Sequence, residues 1–143
     1  MESKQIIALL KNTPIFAKTS EKSLESMLKS AVIKTVPAGE KLVEEGQGAI
    51  GFYLILEGKA EVIKDREKLA ELESGNFFGE LGCIDGQPRT ADVVAVTETK
   101  CWILTQWAMR PIIASHPEVA LSMLEELARR LRATDAARSS TTH

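Results

Sequence analysis

Between Ala31 and Thr105 the chain is cut into seven short apolar or alternating runs, AVIKTV, KLV, GFYLIL, KAEVIK, KLAELE, ADVVAV and CWILT, with glycine-bearing turns between several of them. This feature constrains the fold more than any other. Each run is too short for a stable helix, and the alternation in KAEVIK and KLAELE is the period of a strand with one covered face. Many short strands with turns between them close on each other as a β-roll or jelly-roll barrel. Helical patterns flank this block. Ile6–Leu10 is followed by the breaker KNTP, and Leu24, Met27 and Leu28 recur at i, i+3, i+4. After the strands, Ser115 and Glu118 have capping-box spacing with Pro117 in the first turn. Val119, Ala120, Met123, Leu124, Leu127, Ala128 and Leu131 form an apolar stripe on a helix reaching about Thr134, some 27 Å at ~1.5 Å per residue. The expected fold is mainly β with flanking helices in a single domain. Residues 1–30 form an N-terminal helical part, 31–105 the roll, 106–135 the C-terminal helices and 136–143 a flexible tail. Pro111, inside the C-terminal helical region, predicts a kink or a late helix start.

Composition narrows the chemistry. The 143 residues carry a net charge of −2, against a broad polyanion-binding face. The two histidines, His116 and His143, sit at a helix start and at the last residue, so a histidine-rich metal centre is not expected. A nucleophile–base pair lacks its base in the glycine-rich segment, and no catalytic residue is assigned. Cys83 and Cys101 have no metal-ligand spacing and are expected reduced. The first residues do not read as a signal peptide, no run reaches the ~18 apolar residues of a membrane span, and a cytoplasmic location is expected. Glu125 and Glu126 precede Arg129 and Arg130 by four, which predicts ion pairs along the helix rather than a basic patch for DNA or lipid.

The segment that could carry function is FFGELGCIDGQPRTAD, residues 77–92. Gly79 can adopt backbone angles closed to other residues. Glu80–Ile84 can make one helical turn, whose first amides carry partial positive charge and attract anions. Gly82 and Gly86 permit close approach, and Pro88 stiffens the chain before Arg89. A guanidinium there can grip a phosphate through two parallel bonds, while Glu80 can accept only from a hydroxyl. By spacing alone, Glu80 and Arg89 fit a salt bridge across a turn as well as they fit a ligand.

The pattern G-E-L-G-x-x-x-x-x-P-R-T-A, Gly79–Ala91, resembles the phosphate-binding cassette of cyclic nucleotide-binding domains, such as those of bacterial catabolite activators, regulatory subunits of cyclic-AMP-dependent kinase and nucleotide-gated channels. NTPIF, PAGEKLVEEG, FYLILEGKAEV and ESGNFFGE follow in family order, and PEVALSMLEELARRLRAT resembles the long helix after the roll of catabolite activators. The resemblance implies a short cassette helix inside the roll. It implies that Glu80 binds the ribose 2′-hydroxyl, that Arg89 pairs with the cyclic phosphate, and that Gly79, Leu81, Gly82, Thr90 and Ala91 line the phosphate cradle. Val62 and Leu69 match positions that pack on the ligand, and Thr134 matches the helix position that touches the base. The implied regulatory ligand is cyclic AMP or cyclic GMP, with no metal. Thr90 is similar to a threonine of cyclic-GMP binders but also occurs in cyclic-AMP-responsive channels, so cyclic AMP is preferred. Asp92 departs from the usual small or β-branched residue and would weaken anion binding if it faced the site. Ala49 and Ile50 stand in a loop that is usually more polar.

Three functions follow as expectations. The first is a cyclic-nucleotide sensor that transmits binding through the C-terminal helix to an unknown effector, with a homodimer seam possible on that helix. The second is the sensor part of a DNA-binding regulator; this chain alone is not expected to bind nucleic acid. The third is an interaction module with a vestigial pocket.

Overall fold

The computed structural model describes residues 2–47, 51–79 and 89–141, with side chains through Ala136. Two helices open the chain, α1 (Ser3–Lys11) and α2 (Glu21–Leu28). Asn12 ends α1 at the KNTP break, and Ser20 caps α2 by accepting the Ser23 backbone N–H at 3.2 Å. Eight strands follow: β1 (Val32–Val36), β2 (Lys41–Val43), β3 (Gly51–Glu57), β4 (Lys59–Lys64), β5 (Glu67–Glu73), β6 (Phe77–Phe78), β7 (Asp92–Ala95) and β8 (Thr99–Thr105). Helices α3 (Gln106–Ser115) and α4 (Pro117–Thr141) complete the chain.

The strands pair antiparallel in two four-stranded sheets, ordered β1-β8-β3-β6 and β2-β7-β4-β5. They form a β-roll of two open sheets rather than a closed barrel. All seven strand runs read from the sequence are present. The strand β6 was not expected; its two residues pair with β3 as Tyr53↔Phe78 and Leu54↔Phe77.

The sheet containing β3 is covered on both faces, which explains why GFYLIL is continuously apolar. Phe52, Leu54 and Leu56 of β3, with Trp102 and Leu104 of β8, face a helical core containing Leu10, Phe16, Leu24, Met109, Val119 and Met123. The alternate residues Tyr53, Ile55, Cys101 and Ile103 face Val43, Ala60, Val93 and Ala95 of the other sheet. Burial pushes the Cys101 thiol up to about 11, so it remains protonated at neutral pH. The β4–β5 hairpin turns through Asp65 and Arg66, both with positive φ (52° and 67°), the twist that suits a two-residue hairpin. In β5 the register passes from Val62↔Ala70 to Ile63↔Lys68, leaving Leu69 as a bulge.

The C-terminal region differs from expectation in three respects. Ser115 is the last residue of α3 and His116 its cap, so the expected Ser115–Glu118 capping box is replaced by backbone bonds: Val119 N–H donates to the His116 carbonyl at 2.9 Å. Pro111 is accommodated within α3, which starts earlier than the proline suggested, at Gln106, because Thr105 caps it by accepting the Ala108 N–H. Helix α4 continues to Thr141, beyond the expected end near Thr134 and into the region expected to be a tail. Of the two i, i+4 pairs expected along it, Glu126–Arg130 forms at 3.1 Å; Glu126 also takes Arg129, and Glu125 instead reaches Lys18 at 3.2 Å, which ties α4 to the loop before α2. No helix among the described residues is long and apolar enough to cross a membrane.

Candidate functional site

The expected site residues Glu80, Leu81 and Gly82, with the expected cassette helix, lie outside the described residues, as do Cys83 and the loop residues Ala49 and Ile50. The described flanks of the segment still define a site. Gly79 leaves β6 with φ +87°, and a Cβ there would strike the Gly51 carbonyl oxygen and come within 2.6 Å of Arg89 Nη1. The residue must therefore lack a side chain for two reasons, its backbone angle and its contact with the arginine.

Arg89 is tied by its backbone to the turn that follows β2. Its N–H donates to the Gln47 carbonyl and its carbonyl accepts the Gly46 N–H, both at 2.9 Å. Its guanidinium reaches across to β3 and β6. Nη2 donates to the Gly51 carbonyl at 2.8 Å. The Cζ atom lies 5.6 Å from the Tyr53 ring centroid and 6.0 Å from that of Phe78. Those rings stack at 4.8 Å with 17° between their planes. Arg89 Nε is buried and has no hydrogen-bond partner among the described residues. Among the described residues no carboxylate pairs with Arg89, so its charge is met there by a neutral carbonyl and two rings. A buried N–H without an acceptor costs free energy unless a ligand supplies one. The chemistry available at this point is capture of an anion.

The other expected residues divide. Ala91 is half-buried and Thr90 exposed beside Arg89. Val62 packs on the inter-sheet core that holds Tyr53 and Phe78. Leu69, on its bulge, is 57% exposed. Thr134 is exposed on α4 and donates its hydroxyl to the Arg130 carbonyl at 3.0 Å. Asp92 faces away from the site. Val93 and Ala95 take the inward positions of β7, and Asp92 is held outside by the Glu45 N–H at 2.6 Å and Lys41 at 3.2 Å. The Glu45 amide first, then Lys41, keep its carboxyl below the usual range.

Sequence reading missed Tyr53, Phe78 and Gly51. The parity of β3 carried a signal, since Tyr53 is out of phase with Phe52 and must face the roll interior. The pairing of Tyr53 with Phe78 had no local signal. Burial raises the Tyr53 phenol pKa, and the Arg89 charge works against that rise.

The family model for the cyclic nucleotide-binding domain matches residues 33–116, more than half of the chain, and the chain belongs to that family. Domains of this family are generally regulatory. A CRP-like cAMP-activated global transcriptional regulator of Mycobacterium tuberculosis is 30% identical over 132 residues, covering 89% of this chain and 59% of that protein. The chain thus spans little more than half the length of that relative. The N-terminal domain of a transcriptional regulator from Streptomyces coelicolor is 31% identical with a TM-score of 0.78, over 91% of this chain and 94% of the other. The catabolite activator protein of Thermus thermophilus is 27% identical with a TM-score of 0.82, over 91% of this chain and 63% of the other.

Proposed function

We propose that this chain is a non-catalytic cyclic-nucleotide sensor, with cyclic AMP preferred over cyclic GMP. The observation that carries the reading is Arg89: a guanidinium at the roll wall, its Nε buried without an acceptor among the described residues, inside the family domain. Arg89 takes the cyclic phosphate and Glu80 the ribose 2′-hydroxyl. Gly79, Leu81, Gly82, Thr90 and Ala91 line the phosphate, and Val62 and the exposed Leu69 pack on the ligand. Thr134 approaches the base once the helix closes. The preference for cyclic AMP is supported by similarity to the cAMP-activated mycobacterial regulator. A ligand shifts the helix only by binding its two positions with different affinity, and closure over the base would supply that difference.

Calorimetry and thermal shift with both nucleotides test the reading. Wild-type protein binds cyclic AMP more tightly than cyclic GMP. Arg89→Glu loses at least about a hundredfold in affinity, because charge-assisted bonds worth roughly 1.5–3 kcal/mol each are replaced by repulsion, while circular dichroism is unchanged. Unchanged affinity in Arg89→Glu overturns the assignment.

The partial coverage of the mycobacterial regulator favours a second, compatible reading, that this sensor serves a longer DNA-binding regulator. A gel shift with and without nucleotide, on protein carrying whatever sequence flanks this chain, tests it. A second copy of the chain is the partner proposed for α4, where Leu121, Leu124 and Leu131 are 54%, 62% and 64% exposed. With Ala128 they follow the 3-4-3 spacing of a two-helix seam.

A further inference from the structure

Arg89 is held without a described carboxylate, and the means of holding it is specific. Phe78 and Tyr53 are register partners on β6 and β3, their rings stacked nearly parallel, and the guanidinium carbon lies within 6.0 Å of both ring centroids. The third contact is the Gly51 carbonyl. A carboxylate in this place would hold the guanidinium more strongly but cancel the charge an anion must feel. The aromatic pair and a carbonyl, by contrast, hold it among the described residues through neutral contacts. The neighbouring Phe77 does not share this role. It points to the opposite face and stacks on Phe52 of the helical core at 5.7 Å.

We infer that Tyr53 and Phe78 are positioning residues of the anion site: the stacked pair seats the Arg89 guanidinium and orients it before ligand arrives. This rests on the reading of Arg89 as the phosphate ligand.

The test separates the seat from the ligand. The Arg89 Nε–Hε signal, assigned with Arg89→Lys, is followed by NMR in the nucleotide-free protein. Ring currents should displace it from the bulk arginine position. Phe78→Leu should move it toward bulk and lower cyclic-AMP affinity by about three- to tenfold, in line with a lost cation–ring contact. Phe78→Tyr should restore both. Phe77→Leu, on the same strand but facing the helices, should lower the denaturation midpoint while leaving the Arg89 signal and the affinity in place. An Arg89 signal unmoved by Phe78→Leu overturns the inference, as does an equal loss of affinity in Phe77→Leu. If wild-type protein binds neither nucleotide, the sensor reading falls separately, and the movement of the Arg89 signal in Phe78→Leu still decides whether the rings seat the guanidinium.

Discussion

Gly79 shows how one position can be held by two independent constraints. Its φ of +87° disfavours any side chain, and the space a Cβ would need is occupied by the Gly51 carbonyl and the Arg89 guanidinium. Gly79→Ala should therefore destabilise by about 1–3 kcal/mol and also dislodge Arg89. Chemical denaturation reads the first effect and nucleotide titration the second; a destabilised variant with full affinity would show that only the backbone angle matters. Asp92 makes the opposite point. A carboxylate three residues from Arg89 looked like a threat to anion binding, yet strand parity sends it outward to Lys41 and the Glu45 amide. The alternation in ADVVAV was legible, but which parity faces inward depended on the opposite sheet.

Among the elements, strands with clean alternation were readable and very short ones were not. A two-residue strand such as β6 has no period of its own and exists only because β3 offers it a pairing edge. Helix α4 lost its expected capping box because α3 had already claimed Ser115. The β4–β5 hairpin carries a correctable cost. Arg66 sits at φ 67°, where glycine is at ease, so Arg66→Gly should stabilise by about 0.5–1 kcal/mol, measured as a higher urea midpoint. On α4, Arg129 and then Arg130 pull the Glu126 carboxyl below its usual value, against the opposing effect of burial. A carboxylate with a depressed folded pKa contributes stability that is complete above its unfolded value and is lost as pH falls through the folded one. Glu126→Gln should thus be less stable than wild type at neutral pH, with the gap closing as pH falls through the lowered folded-state value. A gap that persists in acid would assign the effect to packing instead.

For the molecule as a whole, the apolar stripe of α4 turned out to have two destinations. Val119 and Met123 are buried on the helical core, while Leu124 and Leu131, with Leu121 beside them, face outward. The proposed second copy covers the outward row. Light scattering on wild-type protein should give a dimer, and Leu124→Glu with Leu131→Glu should give a folded monomer, because charges in an apolar seam are costly to bury. A monomeric wild type would remove the dimer from the proposal.

What was readable from residue order was whatever repeats or is chemically distinctive over a few positions: the seven strand runs, the helical ends, and a cassette whose FGEL and PRTA termini point to a family now shown. What required the folded chain was every relation between distant segments. Tyr53 and Phe78 are 25 residues apart in sequence and meet only through pairing of β3 with β6, Gly51 becomes an acceptor for Arg89 only across the roll, and Asp92 is turned outward by the sheet it joins. Local sequence sets backbone periodicity and turn chemistry; which surfaces touch is set by burial, which the whole chain satisfies at once.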